Sequence, residues 1–197
     1  MKKNELERAL QSIPPHRTPK PSLEQYSTPA SIAADVLYIA LMLGDIEGRR
    51  IVDLGCGTGI FAIGASLLGA ASVTGIDIDQ TAVEDARMAA TRLGADVKLG
   101  VSDVTALDIA ADTVIMNPPF GAQRRRADRP FLEAAVRMAP VVYSLHNACT
   151  MPFLEKMVSS MGRKITFQKS YKFGVPHLFE FHAKRKKDIS VVLLRIC

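Results

Sequence analysis

The sequence predicts an α/β domain built around a mostly parallel sheet. Three observations predict it: strand-length apolar segments alternate with helical patterns from residue 51 onward, a glycine-rich turn follows the first strand, and two consecutive strand-like segments end the chain. Buried strands that alternate with helices are typical of βαβ units, whose parallel sheet is covered by helices on both faces. The 197 residues suffice for one such domain with a full core.

The N-terminal segment precedes this alternation. Residues 1–12 carry Leu6 and Leu10 at helical spacing, which predicts a short amphipathic helix. Four prolines between positions 14 and 21 exclude regular structure, so residues 13–22 should form an extended arm. We therefore expect residues 1–28 to be an N-terminal helix and a proline-rich arm that lead into the domain.

The domain itself should span residues 29–197. Thr28-Pro29 is typical of a helix start, with the Thr28 hydroxyl as the cap and Pro29 at the first helical position, and Gly44 should end that helix. The last two strands should form an antiparallel hairpin at one edge of the sheet. Strands are predicted at 51–54, 72–76, 97–101, 113–116, 141–145, 164–171 and 189–196, and further helices at 60–68, 81–93 and 129–139.

Composition excludes several classes of protein. Apolar residues make up 48% and charged residues 23%, as in ordinary globular proteins. No apolar run approaches the ~20 residues that cross a bilayer, and the charged N-terminus does not resemble a secretory signal. Cys56, Cys149 and Cys197 are odd in number and widely spaced, so we expect neither disulfides nor a metal site. These features indicate a cytoplasmic protein without membrane contact.

Positive charge is concentrated in two places. Three arginines, Arg124-Arg125-Arg126, follow the Asn-Pro-Pro-Phe sequence discussed below, and the segment 161–187 holds eight Lys or Arg against one acid, Glu180. Clusters of this kind suit a polyanion such as nucleic acid. A solvated surface without a partner is the alternative, but the position beside a candidate active site favours nucleic acid.

The glycine-rich turn, Asp53-Leu54-Gly55-Cys56-Gly57-Thr58-Gly59, is the candidate cofactor site. Glycines allow a tight turn and close approach of a ligand, and the next helix offers free N–H groups to a carboxylate or phosphate. Ile60 stands where a dinucleotide fingerprint requires glycine, and Asp53 would repel a pyrophosphate but attract an ammonium group. S-adenosylmethionine combines ammonium, carboxylate and ribose. The alternative is that this turn only packs the first strand against the next helix and binds no ligand.

Two further aspartates follow strands that should lie beside this turn. Asp77 ends the second strand, where an acid can accept hydrogen bonds from both ribose hydroxyls. Asp103 follows the third strand and could bind the adenine amine. Helix capping is the alternative role for Asp77, and an ordinary surface position is the alternative for Asp103.

The candidate catalytic site is Asn117-Pro118-Pro119-Phe120, directly after the fourth strand. The Asn117 side-chain oxygen and the Pro118 carbonyl could each accept a hydrogen bond from a planar amine, which stabilises positive charge on nitrogen during methyl transfer. Proline rigidity keeps these acceptors in place, and Phe120 could stack on a base removed from its helix or loop. A simple turn at the end of the strand is the alternative.

These motifs resemble those of class I amino-methyltransferases, which have a Rossmann-like fold. Other stretches narrow the resemblance to the methyltransferase-like protein 5 family, which methylates N6 of one adenosine in small-subunit ribosomal RNA. The stretches that carry it are Leu23-Glu24-Gln25-Tyr26 with Thr28, Gly75-Ile76-Asp77-Ile78-Asp79, Asp112-Thr113-Val114-Ile115-Met116, Val142-Tyr143-Ser144-Leu145-His146, and Phe181-His182 with the basic run that follows.

The resemblance implies a seven-stranded sheet in the order 3-2-1-4-5-7-6 and a small zinc-binding activator subunit, seen in eukaryotic members, that adds a strand at the edge formed by residues 96–101. It also implies that Gln25, Tyr26 and Thr28 help to close the cofactor pocket and that Phe179 and Phe181 lie near the target base, with strand or core packing as the alternative for these two. Together with the motifs described above, the predicted cofactor-binding residues are Gln25, Tyr26, Thr28, Asp53, Gly55, Cys56, Gly57, Gly59, Asp77, Ile78, Asp103, Val104 and Asn117, and the predicted RNA-binding residues are Arg124, Arg125, Arg126, Phe179, Phe181, Lys184, Arg185, Lys186 and Lys187.

Other acceptors would suit the same site. A glutamine side-chain amide is the nearest alternative, although glutamine-N5 methyltransferases carry tyrosine at the position of Phe120 and a helical domain before the fold. Guanine-N2 RNA and DNA adenine methyltransferases come next, and the latter need a recognition domain for which this chain has little room. The chain could also be a non-catalytic binding module that retains the fold, but the presence of Asn117 and Asp77 argues against this alternative.

Overall fold

The computed structural model describes residues 1–120, 127–175 and 187–197, except for the side chains of Pro21, 173–175 and 187–189. Helices and strands alternate through this part of the chain, as predicted. The helices are α1 Lys3–Gln11, α2 Ala30–Met42, α3 Ile60–Leu67, α4 Gln80–Leu93, α5 Arg129–Met138 and α6 Met151–Ser160, and the strands are β1 Arg50–Leu54, β2 Ser72–Asp77, β3 Lys98–Val101, β4 Thr113–Met116, β5 Val141–Asn147, β6 Ile165–Val175 and β7 Lys187–Ile196.

The strands form one seven-stranded sheet in the order β3-β2-β1-β4-β5-β7-β6, which confirms the expected order. The first five strands pair in parallel, whereas β7 is antiparallel to both β5 and β6. The predicted C-terminal hairpin is therefore confirmed. Because β1 to β5 are parallel, their carboxyl ends all lie at the same edge of the sheet.

Two details of the helices differ from the sequence analysis. Helix α6 was not predicted; Pro152 lies in its first turn, where the missing N–H costs no intrahelical hydrogen bond. Helix α2 begins at Ala30, one residue after Pro29, and no side chain caps it. The expected capping role of Thr28 is therefore wrong, and its hydroxyl has another partner described below.

Apolar side chains fill both sides of the sheet. Helices α1 to α4 cover one apolar layer, and α5 and α6 cover the other. Leu6 and Leu10 of α1 are fully buried in the first layer, so the N-terminal helix shares the core of the domain. A β-carbon at Gly64 of α3 would lie 2.3 Å from Leu37 Cδ1, which shows how closely α2 and α3 pack. No described helix is long and apolar enough to span a membrane.

A buried carboxylate joins the loop after α2 to three strands. Asp45 accepts hydrogen bonds from Tyr143 Oη (2.6 Å) and Arg195 Nε (2.8 Å), and its backbone carbonyl accepts one from Thr113 Oγ1 (2.8 Å). These donors belong to β5, β7 and β4. The network therefore ties the antiparallel edge of the sheet to its parallel centre.

We expect Arg195→Met to destabilise the fold strongly. The Asp45 carboxylate would remain buried without its cation, which costs about 3–5 kcal/mol in comparable cases. Arg50→Met is the matched control, because the Arg50–Asp112 pair is largely exposed and exposed pairs contribute about 1 kcal/mol or less. Urea denaturation of both variants measures the difference in free energy of unfolding, and equal losses would contradict this role of Arg195.

Candidate active site

A cavity of about 560 Å³ lies at the carboxyl ends of β1, β2 and β4. It brings together most of the residues predicted from the sequence, although these come from segments far apart in the chain. The predicted residues in its wall are Gln25, Tyr26, Thr28, Gly55, Cys56, Gly57, Asp77, Ile78, Asp103, Val104, Asn117 and Pro119.

The glycine turn forms the floor of the cavity. The N–H groups of Gly55 and Cys56 both donate to the Ile76 carbonyl, at 2.8 and 2.9 Å, so the turn bends onto the neighbouring strand β2. Gly57 has a φ of +52° and open space where a β-carbon would stand. A ligand can therefore approach the backbone of Gly57 closely.

Asp77 links this turn to the end of β2. Its Oδ2 accepts from the Gly57 N–H at 2.8 Å, and its Oδ1 accepts from the Asp79 N–H at 2.9 Å. Burial raises the pKa of the carboxyl group. Asp77 thus shapes the turn and also faces the cavity beside Ile78, where the ribose of a cofactor was expected.

Asp53 and Gly59 lie outside the cavity wall, where their contacts fix the glycine turn to helices α3 and α4. Asp53 is 1% exposed; its Oδ2 accepts from the Ala62 N–H at 2.9 Å, and no described residue donates to Oδ1. Burial and the charge of Asp77 raise the pKa of Asp53 to about 7. A β-carbon at Gly59 would lie 3.1 Å from the Ala86 Cβ, so this glycine allows α3 to approach α4.

Asp103, Val104 and Cys56, also predicted to bind the cofactor, line the cavity as well. Asp103 accepts hydrogen bonds from Thr105 N and Thr105 Oγ1 at 2.8 and 2.7 Å, which lower its pKa. Val104 is buried beside it. Cys56 is also buried, and burial raises the pKa of its thiol. Asp103 is therefore the ionised acid at this end of the cavity.

Asn117 lies at the cavity edge, directly after β4. Its Nδ2 donates to Thr28 Oγ1 at 3.0 Å, while its Oδ1 is buried and accepts no hydrogen bond from the described residues. Pro119 also lines the cavity. Phe120 packs against Tyr26, with ring centroids 5.2 Å apart and planes inclined at 42°. The free acceptor of Asn117 is the group expected for binding an amine.

The N-terminal strap, residues 13–28, crosses the cavity and ends at Thr28. It is attached to Asp79, the N-cap of α4, by Lys20 Nζ and Gln25 Nε2, each 2.9 Å from a carboxylate oxygen. Burial opposes ionisation of Asp79, but these two donors lower its pKa to about 2. Asp79 is therefore charged at neutral pH and holds the strap in place.

A second aspartate on α4 anchors the start of the strap. Asp85 accepts from His16 Nδ1 at 2.7 Å and from the backbone N–H of Arg17 at 3.2 Å, and it forms an ion pair with the Arg17 side chain. His16 also lines the cavity. Sequence patterns do not predict these contacts, because they join groups about 70 residues apart in the chain.

Three further wall residues, Ala127, Pro130 and Phe131, were also missed. They lie before and within α5, and the Phe131 ring would be 3.0 Å from a β-carbon at Gly55.

Most of the predicted RNA-binding residues fall outside the part of the chain that the structure describes. Arg124, Arg125, Arg126, Phe179, Phe181, Lys184, Arg185 and Lys186 lie outside the described residues, and only the backbone of Lys187 is described.

The residues present fit S-adenosylmethionine. The wall offers an open glycine backbone at Gly57, a carboxylate at Asp77 and a second carboxylate at Asp103, and Asn117 presents a buried acceptor where the reacting amine would lie. Among the described residues, no cluster of His, Cys, Asp or Glu could hold a metal ion. The fold and the site define an S-adenosylmethionine-dependent methyltransferase.

Comparison with known proteins agrees with this class. Residues 32–141 match the methyltransferase small domain family. The chain is 36% identical to the rRNA N(6)-adenosine-methyltransferase METTL5 of Danio rerio, over 99% of this chain and 98% of the relative, and 35% identical to its Drosophila melanogaster counterpart, over 97% and 94%. The crystal structure of PH1948 from Pyrococcus horikoshii superposes with a TM-score of 0.93 at 40% identity, covering 100% of this chain and 97% of that one. The chain belongs to the methyltransferase-like protein 5 family.

We expect Gly57→Ala to weaken S-adenosylmethionine binding, because the added methyl group would project into the space at the cavity floor where the ligand should lie. The affinity should fall roughly tenfold or more, which corresponds to a loss of about 1.4 kcal/mol of binding free energy. Gly44→Ala is the matched control: Gly44 has a φ of +77° and open surroundings but lies after α2, away from the cavity. Both variants should lose similar thermal stability. Calorimetric titration with the cofactor distinguishes them, and equal affinities would contradict the role of Gly57.

We expect Asp53→Asn to change the pH dependence of stability. The pKa of Asp53 is raised from 3.8 to about 7, so the stability that its neutral form contributes is complete below about pH 4 and is lost as the pH rises through about 7. Asparagine stays neutral. The free energy of unfolding of Asp53→Asn, measured relative to wild type by urea denaturation, should therefore increase from pH 5 to pH 8. The exposed Asp108→Asn control should show a constant difference; a constant difference for Asp53→Asn would refute the assignment.

Proposed function

We propose that this protein transfers the methyl group of S-adenosylmethionine to the N6 amine of an adenosine in ribosomal RNA, and that the RNA belongs to the small subunit. Asn117 carries the proposal: its Oδ1 is buried at the cavity edge and accepts no hydrogen bond from the described residues. The zebrafish and fruit-fly relatives are rRNA N(6)-adenosine-methyltransferases, which supports an adenosine in rRNA as the acceptor.

Asn117 suits an exocyclic amine for a chemical reason. The nitrogen lone pair of such an amine is delocalised into the ring, so the amine is a weak nucleophile. An N–H hydrogen bond to Asn117 Oδ1 stabilises positive charge that develops on nitrogen and directs the lone pair toward the methyl group. Pro118 and Pro119 restrict the backbone that carries this acceptor. Alignment is then the main contribution of the protein.

The cofactor would occupy the floor and the far wall of the cavity. When bound, it supplies an electrophilic methyl group. Asp77 would hold the ribose hydroxyls, Asp103 and Val104 the adenine, and the backbone around Gly57 the amino-acid end. Asp53 would act through the turn above it, since it accepts from Ala62 N and lies outside the cavity wall.

RNA binding rests on the sequence. Arg124, Arg125 and Arg126 directly follow the candidate catalytic residues, and the basic run Lys184-Arg185-Lys186-Lys187 adds a second positive segment. Lys and Arg side chains neutralise phosphates and make affinity depend on salt. We propose that these two segments hold the RNA while Phe120, with Phe179 or Phe181, contacts the target base.

A small zinc-binding activator subunit would fit the free edge of the sheet. Strand β3 is the terminal strand in the order of the sheet, and Val101 at its end is 45% exposed. Backbone groups on such an edge can pair with an added strand. The proposed location is the cytoplasm, since Cys56, Cys149 and Cys197 are free thiols.

The decisive experiment combines labelled S-adenosylmethionine with three acceptors: unmodified small-subunit rRNA, a release factor and duplex DNA. We expect label on N6 of one adenosine in the rRNA, identified by nuclease digestion and mass spectrometry. Label on a glutamine side chain or on DNA would replace the proposal with the corresponding alternative. Comparison of the chain alone with the chain plus a zinc-binding partner tests the need for an activator.

Asn117→Ala separates chemistry from cofactor binding. We expect kcat to fall by roughly 100-fold or more, as on removal of a group that stabilises charge in a transition state, while cofactor affinity stays within a few-fold of wild type. Asn4→Ala, on the exposed face of α1, is the matched control and should retain full activity. Collapse of cofactor binding in Asn117→Ala would leave Asn117 only a structural or cofactor-binding role and would contradict the catalytic one.

A further inference from the structure

We propose that Thr28 is a positioning residue for the transfer reaction: its hydroxyl holds the Asn117 amide so that Oδ1 faces the acceptor amine. The inference rests on the proposed function, because it concerns the same acceptor. It assigns Thr28 a role in the chemical step, distinct from the contact with the cofactor that the family resemblance implies for this residue.

The geometry at Thr28 carries the proposal. Thr28 Oγ1 lies 3.0 Å from Asn117 Nδ2, and Thr28 is 6% exposed. The opposite end of the same amide, Oδ1, is buried and accepts no hydrogen bond from the residues that the structure describes. One end of the amide is therefore tied to the strap, and the other end is left for a ligand.

Orientation matters because the two ends of an amide have opposite polarity. Oxygen accepts hydrogen bonds and the NH₂ group donates them. If the Asn117 amide turned over, NH₂ would face the NH₂ group of an acceptor, and two donors cannot satisfy each other. A hydroxyl can donate as well as accept, but here Thr28 Oγ1 accepts from Nδ2, and this hydrogen bond holds the accepting end of the amide toward the substrate.

The strap makes Thr28 an effective anchor. Lys20 and Gln25 bind the buried carboxylate of Asp79, the N-cap of α4, and Tyr26 packs against Phe120 beside the catalytic asparagine. The segment that leads into Thr28 is thus fixed at two points. The strap therefore connects the start of α4, at Asp79, with Asn117 in the cavity wall.

Thr28→Val tests the role of the hydroxyl, because valine keeps the shape of threonine and cannot form this hydrogen bond. We expect kcat on the rRNA acceptor to fall roughly 10- to 100-fold, as for a misplaced catalytic group, with unchanged affinity for S-adenosylmethionine. Thr28→Ser keeps the hydroxyl and should stay within about threefold of wild type, the effect of a small change in one neutral hydrogen bond. Thr91→Val, on the exposed face of α4, controls for the loss of a hydroxyl elsewhere.

A second measurement does not depend on any acceptor. In the free protein labelled with ¹⁵N-asparagine, the Nδ2 resonances of Asn117 should shift in Thr28→Val and not in Thr91→Val, because only the first variant removes the partner of that NH₂ group. If rRNA is not the acceptor, this spectrum still tests the tether, so failure of the proposed function and failure of the positioning role are distinguishable.

Three results would overturn the positioning role. They are unchanged kcat and unchanged resonances in Thr28→Val, equal loss of kcat in the serine and valine variants, and a loss confined to cofactor affinity. The last result would make Thr28 part of the cofactor wall alone. Thermal denaturation of each variant confirms that the folded protein is compared.

Discussion

Parallel pairing of β1 with β4 is the constraint on which the site depends. The register places Leu54 opposite Met116, so the glycine turn and the Asn-Pro-Pro-Phe sequence leave the sheet side by side. The sheet order also changes direction here, since β2 lies beyond β1 and β5 lies beyond β4. Loops diverge at such a point and leave a crevice at the carboxyl ends of the strands. The cavity lies in this crevice and receives one wall from each side.

The buried carboxylates around the cavity divide into two groups, one with raised and one with lowered pKa values. Burial raises the pKa of Asp53 and Asp77, which lie under and beside the glycine turn. Burial also opposes the ionisation of Asp79 and Asp85, but donors from the N-terminal strap outweigh it and lower both pKa values. Of the first pair, Asp77 lines the cavity and can accept hydrogen bonds from a hydroxyl-bearing ligand, whereas Asp53 is buried outside the cavity wall. The second pair holds the strap, and through it the position of Thr28.

The N-terminal strap forms part of the site although it contains no α-helix or strand. Its prolines disfavour both, and one short 3₁₀-helix, Pro21–Leu23, is its regular structure. Its side chains reach α4 at one end and Asn117 at the other. The proposed cofactor site and the proposed site of the acceptor amine thus share one structural element. This arrangement explains why the wall contains residues from the strap as well as from the α/β core.

The sequence by itself determined the α/β class and most of the strands, because strand-length apolar runs, glycines and prolines act through local backbone physics. It also predicted that Asp77 and Asn117, at the ends of two strands, belong to one site, and both residues line the cavity. It did not identify α6, or the contacts of His16 with Asp85 and of Thr28 with Asn117. Only the tertiary structure decided those. The reason is physical: each contact joins groups roughly 70 to 90 residues apart, and such proximity follows from the order and register of the sheet.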